Sequence, residues 1–162
     1  MLIMLMRKTY TSLLLMAIIF TPVVFSEDMG GEYAKGKYLV QIGGCNDCHT
    51  AGYAPSGGTT PESQWLMGDQ MGFRGPWGTT YPVNLREYVG NLSEAEWIAK
   101  AKVIKTRPPM PWWALNEMKE EDLSAVYQYI KSLGSAENAV PSFVPPEEEP
   151  KTPYIQWPQP PK

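Results

Sequence analysis

Two cysteines and a histidine lie close together in the sequence Cys45-Asn46-Asp47-Cys48-His49. Thiols three residues apart with a histidine directly behind them are the attachment signature of a c-type haem. Each thiol adds across one vinyl group on the same edge of the porphyrin, which places the adjacent imidazole under the iron as its proximal ligand. The motif therefore predicts one covalently bound haem, with thioether bonds to Cys45 and Cys48 and an iron bond to His49.

The same residue types also form redox dithiols, disulfides and zinc sites. A thioredoxin-like dithiol occurs in a βαβ context, which this sequence lacks, and a zinc site needs further Cys or His ligands. The chain has two cysteines and one histidine in all. Covalent haem is the interpretation that these counts favour.

The sixth position on the iron is predicted to hold a methionine, because the chain has no second histidine. The methionines that follow residue 26 are Met29, Met67, Met71, Met110 and Met118. Met110 is flanked by Pro108, Pro109 and Pro111, which stiffen its loop and lower the entropy cost of holding a thioether on the iron. We therefore expect Met110 to be the ligand. Met67 and Met71 remain alternatives, and their other expected role is packing in the haem pocket.

The composition indicates one small domain with long loops. A chain of 162 residues has room for a single domain and some appendages, at about 100–200 residues per domain. The 16 prolines and 14 glycines require that much of the chain is loop or extended. The formal net charge is −3, and no basic stripe is present to contact phosphates. Nucleic acid is therefore excluded as a partner.

The N-terminus has the pattern of an export signal. Arg7 and Lys8 precede an apolar run over residues 13–20, and small residues lead to a cleavage site after Ser26. The run is shorter than the ~20 residues of a membrane-spanning helix, which favours cleavage over a retained anchor. The mature protein would then be periplasmic, with 12 basic against 17 acidic residues and a formal charge of −5, because Arg7 and Lys8 are lost.

Two of the predicted helices lie at the ends of the domain. Apolar residues recur at helical spacing over residues 32–42 and again over about 119–133. Gly36 lies inside the first of these helices, where glycine costs about 1 kcal/mol relative to alanine. A close helix crossing would explain it, and we expect the Tyr127 face of the last helix to cross there.

Between these helices lie a long loop and one more helix. Glycines and prolines break every pattern in residues 50–91, which are expected to wrap the cofactor. Ser93 and Glu96 form a capping box that begins the second helix, and Arg107 precedes the prolines that end it. The aromatic residues expected to form the wall of the haem pocket are Trp65, Phe73, Trp77 and Tyr81.

The composition changes after Ser135. Residues 135–162 contain eight prolines and the acidic run 147–149, which cannot bury enough surface to fold alone and favour an extended tail. The apolar residues Tyr154, Ile155 and Trp157 leave two alternatives open. They either dock, on the domain or on a partner, or remain in solvent as part of a disordered tail. The predicted organisation is a signal peptide over 1–26, a cytochrome c domain over 27–134 and a Pro/Glu-rich extended tail over 135–162.

The order of helix, Cys-x-x-Cys-His, long loop, helix, Met-Pro loop and C-terminal helix resembles class I c-type cytochromes over about residues 33–134. More narrowly, residues 36–39, 78–85 and 108–112 resemble one domain of the multi-haem cytochrome subunits of membrane-bound alcohol, aldehyde and gluconate dehydrogenases. The resemblance implies a small all-α fold with three to five helices around one haem. Those subunits typically carry three haems, whereas this chain has one motif and adds the tail.

The resemblance also implies roles around the haem, beyond the thioethers and the iron ligands His49 and Met110. The carbonyl of Pro55 would accept a hydrogen bond from the His49 ring, which would fix its tautomer and increase its basicity. Tyr81, Asn84 and Arg86 would lie near the propionates.

The leading interpretation is an exported electron carrier, not an enzyme, that serves a redox partner such as a periplasmic dehydrogenase or a terminal oxidase. Association with a membrane would occur only through such a partner or an uncleaved signal. One alternative is a haem enzyme or gas sensor with a labile sixth ligand, which would need a distal acid–base group. A second is a haem-bearing docking module that acts through its tail.

Overall fold

The computed structural model describes residues 29–158, so the predicted signal peptide lies outside the described part of the chain. The fold is all-α in class, with six α-helices in the described residues where three to five were expected, and one small sheet of strand order β2-β1-β3. The elements are α1 (Met29–Ile42), α2 (Cys45–His49), a 3-10 helix (Glu62–Gln64), β1 (Gly72–Gly75), β2 (Gly78–Thr80), α3 (Leu85–Gly90), α4 (Glu94–Val103), α5 (Trp112–Glu117), α6 (Glu120–Ser132) and β3 (Tyr154–Gln156).

Helices α1 and α6 cross at Gly36. A Cβ atom at this position would lie 2.6 Å from the Cβ atom of Tyr129 and would collide with the carbonyl oxygen of Ala125. The close crossing predicted at Gly36 is therefore confirmed. The crossing is formed by Ala125 and Tyr129 of α6, not by the predicted Tyr127 face. Tyr127 instead donates its hydroxyl to the Leu92 carbonyl at 3.0 Å.

The helix ends follow the sequence signals closely. The Ser93 hydroxyl accepts from the Glu96 amide at 3.3 Å, and the Glu96 carboxylate accepts from the Ser93 amide at 2.8 Å, so the predicted capping box begins α4. Helix α6 ends just before Gly134, whose φ of +74° is the left-handed conformation that glycine adopts readily. The hydrophobic core packs mainly between the helices, and its largest fully buried members are Tyr129, Leu66, Leu123, Ile130, Val40 and Val89.

A β-hairpin lies in the loop between α2 and α3. Strands β1 and β2 pair antiparallel, with Phe73 opposite Thr80 and Gly75 opposite Gly78. Gly78 has a φ of +99°, so the turn needs a residue without a side chain at this position. Strands of four and three residues carry too little alternation of apolar and polar residues to be predicted from sequence.

The C-terminal strap, residues 135–158, lies against this hairpin. Strand β3 pairs parallel with β1, with Ile155 opposite Phe73. Further back, Val144 and Thr79 exchange two backbone hydrogen bonds of 2.7 and 3.0 Å. The segment is extended, as its composition indicates, and its backbone docks on the domain, while the side chains of Tyr154, Ile155 and Trp157 stay exposed.

Glu62 joins the helices to the loop that follows α2. Its carboxylate accepts hydrogen bonds from the hydroxyls of Tyr33 and Tyr129 at 2.7 and 2.8 Å and forms an ion pair with Lys37 at 2.5 Å. Burial raises the pKa of Glu62, but the hydrogen bonds from Lys37 and the two tyrosines outweigh it and hold the pKa below its ordinary value. This carboxylate therefore stabilises the fold as an anion.

Candidate haem site

The haem-attachment motif forms a single short helix, α2. Gly44 begins the helix with a φ of 68°, a conformation that a residue with a side chain rarely adopts. Residues three apart on a helix have Cβ atoms about 5–6 Å from each other, so Cys45 and Cys48 lie on one face, and His49 follows at the C-terminal end. Both thiols are free in the structure.

The pKa values of the two thiols indicate packing rather than redox activation. Burial raises the pKa of Cys45 to about 11, and burial together with the charges of Asp47 and Asp69 raises the pKa of Cys48. A catalytic or redox dithiol instead has a lowered pKa, because the thiolate is the reactive species. Neither cysteine has the lowered pKa that a redox dithiol requires.

The ring of His49 is oriented by a backbone carbonyl. Its Nδ1 atom lies 2.7 Å from the carbonyl oxygen of Val83, and since a carbonyl can only accept, Nδ1 carries the proton. Burial lowers the pKa of His49, although the Val83 hydrogen bond opposes this shift. The imidazole is therefore neutral, with Nε2 as the nitrogen available to bind iron.

The acceptor predicted for this ring, Pro55, is wrong. The structure places Pro55 exposed in the turns that follow α2, and it gives the His49 hydrogen bond to Val83. Pro55 follows His49 closely in sequence, whereas Val83 is 34 residues away. A backbone acceptor has no side-chain signature, so no sequence signal could have identified Val83.

A second set of contacts fixes α2 to residues 66–68. The Thr50 hydroxyl donates to the Asn46 side-chain oxygen at 2.7 Å and accepts from the Leu66 amide at 2.8 Å. The Gly68 amide donates to the His49 carbonyl at 2.9 Å. Asn46 and Thr50 are fully buried polar residues, and their role was not predicted from the sequence. The only sequence signal for Thr50 is its position directly after the motif.

One segment, residues 78–84, contacts both His49 and the loop that contains Met110, and we call it the bridging segment. Val83 accepts from His49, and the Thr80 hydroxyl donates to the Pro108 carbonyl at 2.7 Å. Pro108 belongs to the methionine loop, residues 104–111, which joins α4 to α5 and contains half-buried Met110. Thr80 and Val83 are at most about 11 Å apart along the chain. The bridging segment therefore keeps the methionine loop close to His49.

The other two candidate methionines lie differently. Met67 is half-buried, and its carbonyl accepts from the Asn138 side chain at 2.8 Å. Its neighbour Gly68 bonds to the backbone of His49, so Met67 lies on the strand-like stretch that supports α2. Met71 is 36% exposed and its amide donates to the Asp69 carboxylate. The bridging segment reaches both regions, because the Thr80 hydroxyl donates to Pro108 in the loop of Met110 and the Pro82 carbonyl accepts from the Asp69 amide at 3.2 Å.

Trp77, predicted as part of the pocket wall, carries a buried donor that is unpaired in the described part of the chain. Its indole Nε1 is buried and has no hydrogen-bond partner among the described residues. Leaving a buried donor unpaired costs about 1–3 kcal/mol, so this atom fits an acceptor that is not part of the chain, such as a propionate oxygen. With two thiols on one face of α2 and an imidazole with Nε2 available, the residues present fit a covalently attached haem.

The structure gives Asn84 and Arg86 roles in the protein scaffold. The Asn84 side-chain oxygen caps α3 by accepting from the Arg86 and Glu87 amides, and its amide donates to the Ala136 carbonyl at 2.7 Å. The Arg86 guanidinium donates to the carbonyls of Glu62, Ser63, Trp65 and Leu133. Both side chains are thus already occupied by backbone partners, which argues against the predicted place beside the propionates. Tyr81 lies half-buried, and its hydroxyl accepts from Thr152 of the strap at 2.9 Å.

A helical domain with two thiols and an oriented histidine on one short helix defines a protein that carries a c-type haem. A family model described as Cytochrome c matches residues 33–134, which is more than half of the 162-residue chain. The chain belongs to the cytochrome c family, and its cofactor is covalently attached haem c. Searches of curated proteins and of solved structures found no match. Among residues 29–158 no helix is long and apolar enough to cross a membrane.

Proposed function

We propose that this cytochrome is an exported mono-haem electron carrier in which Met110 is the sixth ligand of the iron. Membership of the cytochrome c family supports haem-based electron transfer. The observation that carries the ligand assignment is the bridging segment, which contacts His49 through Val83 and the methionine loop through Thr80. Two ligands supported by one short segment are suited to opposite faces of one haem.

The residues of the chain would orient the cofactor rather than transform a substrate. The haem iron supplies a one-electron change of oxidation state when bound. Cys45 and Cys48 would fix the edge of the porphyrin, and the Val83 carbonyl holds the tautomer of His49 and increases its basicity. A methionine in the sixth position raises the reduction potential compared with a second histidine. With both axial positions filled by protein, no substrate needs to bind.

Met110→Ala tests the ligand assignment. We expect the ferric wild-type protein to show the weak far-red band of a sulfur–iron bond, and the ferrous protein to bind carbon monoxide slowly. The variant should lose the band, bind carbon monoxide rapidly and have a lower reduction potential, because the ligand that favours ferrous iron is gone. The control is Met71→Ala, which should keep the wild-type spectrum.

Two results would contradict this assignment. An unchanged far-red band in Met110→Ala would show that another methionine binds the iron, and Met67→Ala would then be examined. Rapid carbon monoxide binding by the wild-type protein would favour a haem enzyme or gas sensor with a labile sixth ligand.

We further propose that the protein is periplasmic and serves a dehydrogenase or a terminal oxidase, as its haem subunit or electron acceptor. The support is the resemblance of residues 36–39, 78–85 and 108–112 to the cytochrome subunits of membrane-bound dehydrogenases. The exported holoprotein should begin near Glu27 and should co-purify with one redox enzyme that reduces its haem when given substrate. A soluble product with an intact N-terminus would contradict export, and a co-purified complex without haem reduction would contradict the partner role.

A further inference from the structure

The C-terminal strap is fixed to the domain at several points along its length. At its start, the Ala136 carbonyl accepts from Asn84 at 2.7 Å, and the Asn138 side chain donates to the Met67 carbonyl at 2.8 Å. At its end, strand β3 continues the sheet beside β1. The strap is therefore held at both ends, and its middle part must follow the face of the hairpin.

Arg74 binds the middle of the strap. Its guanidinium donates to the Glu148 carbonyl at 2.8 Å and to the Pro146 carbonyl at 3.4 Å, and it forms an ion pair with the Glu149 carboxylate at 3.2 Å. Pro150, the next residue, is buried. A planar guanidinium with several donors suits a proline-rich segment, which offers many carbonyls and few amides.

Glycines in the domain allow the strap to approach closely. A Cβ atom at Gly78 would lie 2.8 Å from the Phe143 ring and would collide with the Val144 carbonyl, and one at Gly68 would lie 2.6 Å from the Val140 side chain. Such distances are well below normal carbon–carbon contacts of about 3.5–4.0 Å. The domain surface is therefore shaped to receive the strap.

Phe143 also connects the strap to the methionine loop. The guanidinium carbon of Arg107 lies 3.8 Å from the centroid of the Phe143 ring, well within the ~6 Å range of a cation–π interaction. Arg107 directly precedes Pro108, whose carbonyl accepts from Thr80. The loop that carries Met110 is thus held by the hairpin on one side and by the strap on the other.

We propose that the strap positions the methionine loop and that Phe143, acting through Arg107, is the positioning residue. This inference rests on the proposed function, because it concerns the retention of Met110 on the iron. A loop held at Arg107 and Pro108 loses less conformational entropy when its thioether binds the iron. Loosening the Phe143 contact therefore increases the fraction of molecules in which the sixth position is accessible to a competing ligand.

The experiment titrates imidazole into the ferric holoprotein and follows the loss of the far-red band. Phe143→Leu removes the aromatic face but retains an apolar side chain, and it should increase the apparent affinity for imidazole about two- to fivefold, the range that corresponds to an exposed cation–π contact. Phe143→Tyr keeps the ring and should restore the wild-type affinity. Glu148→Ala is the matched control in the same strap, since only the carbonyl of this residue contacts the domain.

A double variant tests whether Phe143 acts through Arg107. Arg107→Met should increase imidazole affinity by itself, and adding Phe143→Leu to it should produce little further increase, because the two residues form one contact. Additive effects of the two changes would overturn the proposed route. An affinity in Phe143→Leu equal to that of the wild type or of Glu148→Ala would overturn the positioning role itself.

Hydrogen exchange separates this inference from the ligand assignment. Amide protection over residues 104–113 should fall in Phe143→Leu and be retained in Phe143→Tyr and Glu148→Ala, whichever methionine binds the iron. If Met110→Ala leaves the far-red band unchanged while this pattern of protection is observed, the ligand assignment fails and the strap contact stands. Unchanged protection in Phe143→Leu overturns the strap inference whatever the result for Met110→Ala.

Discussion

The crossing of α1 and α6 gives the sharpest prediction about stability. Gly36→Ala would place a Cβ atom 2.6 Å from the Cβ atom of Tyr129, and against the backbone carbonyl of Ala125. Carbon atoms in good contact are about 3.5–4.0 Å apart, so the two helices would have to separate by about 1 Å. No change of rotamer relieves this collision, because both atoms of α6 are fixed to its backbone.

The size of the effect follows from two opposing contributions. Forcing an extra methyl group into a packed interface costs about 1–3 kcal/mol, while replacing glycine with alanine inside a helix gains about 1 kcal/mol. Because the added methyl group meets backbone, the packing cost should lie at the upper end of its range, about 3 kcal/mol. After the gain of about 1 kcal/mol from replacing glycine, we expect Gly36→Ala to lower the free energy of unfolding by about 2 kcal/mol. For a folded unit of roughly 130 residues each 1 kcal/mol corresponds to about 4 °C, so the melting temperature should fall by about 8 °C.

Gly90→Ala is the matched control for this prediction. Gly90 is the last residue of α3, its φ is not positive, and a Cβ atom there would meet nothing within 4 Å. The control should therefore melt at or slightly above the wild-type temperature. Thermal unfolding of the ferric holoproteins, followed by far-ultraviolet circular dichroism, makes the comparison. Equal melting temperatures for Gly36→Ala and Gly90→Ala would refute the reasoning from close packing.

Two further predictions concern buried polar groups. Because the folded state holds the pKa of Glu62 below its ordinary value, this carboxylate stabilises the fold above that value and loses its contribution as the pH falls through the folded pKa. Glu62→Gln should therefore be less stable than wild type at pH 7, with a difference that shrinks between about pH 5 and pH 3 in urea unfolding; a difference that stays constant with pH would contradict the charge argument. Arg86→Met removes the donor from the carbonyls of Trp65 and Leu133 among others and should cost more than about 2 kcal/mol in urea unfolding. Arg86→Lys should recover only part of this, because an ammonium group lacks the forked geometry; full recovery would show that charge alone matters.

Local signals in the sequence predicted the parts of the fold that depend on neighbouring residues. The attachment motif could be recognised because both thioether bonds and the iron bond require a fixed spacing of Cys45, Cys48 and His49. Helix α4 was predicted from the capping box at Ser93, whose partners are three residues apart. Gly36 indicated a crossing because an unfavourable residue in a helix needs a compensating contact.

The rest depended on contacts between distant parts of the chain. Val83 orients His49 through a backbone carbonyl, which any residue type provides, so composition could not reveal it. Arg86 is a polar residue in a loop-rich region, and from sequence alone a propionate and a set of buried carbonyls are equally suitable partners. Its actual partners lie 21 to 47 residues away, a distance at which local patterns carry no information.

The docking of the strap shows why a proline-rich segment can fold onto a domain when it cannot fold alone. Its carbonyls have few internal donors, because proline lacks an amide hydrogen, but the domain supplies donors from Gly72, Arg74, Thr79 and Asn84. An extended chain stiffened by proline also loses little entropy when it docks. The proline-rich composition that prevents the strap from folding alone therefore also suits it to dock on a surface rich in hydrogen-bond donors. The strap lies outside residues 33–134, the part matched by the family model. Its contact with Arg107 therefore gives the methionine loop a support that the matched domain does not contain.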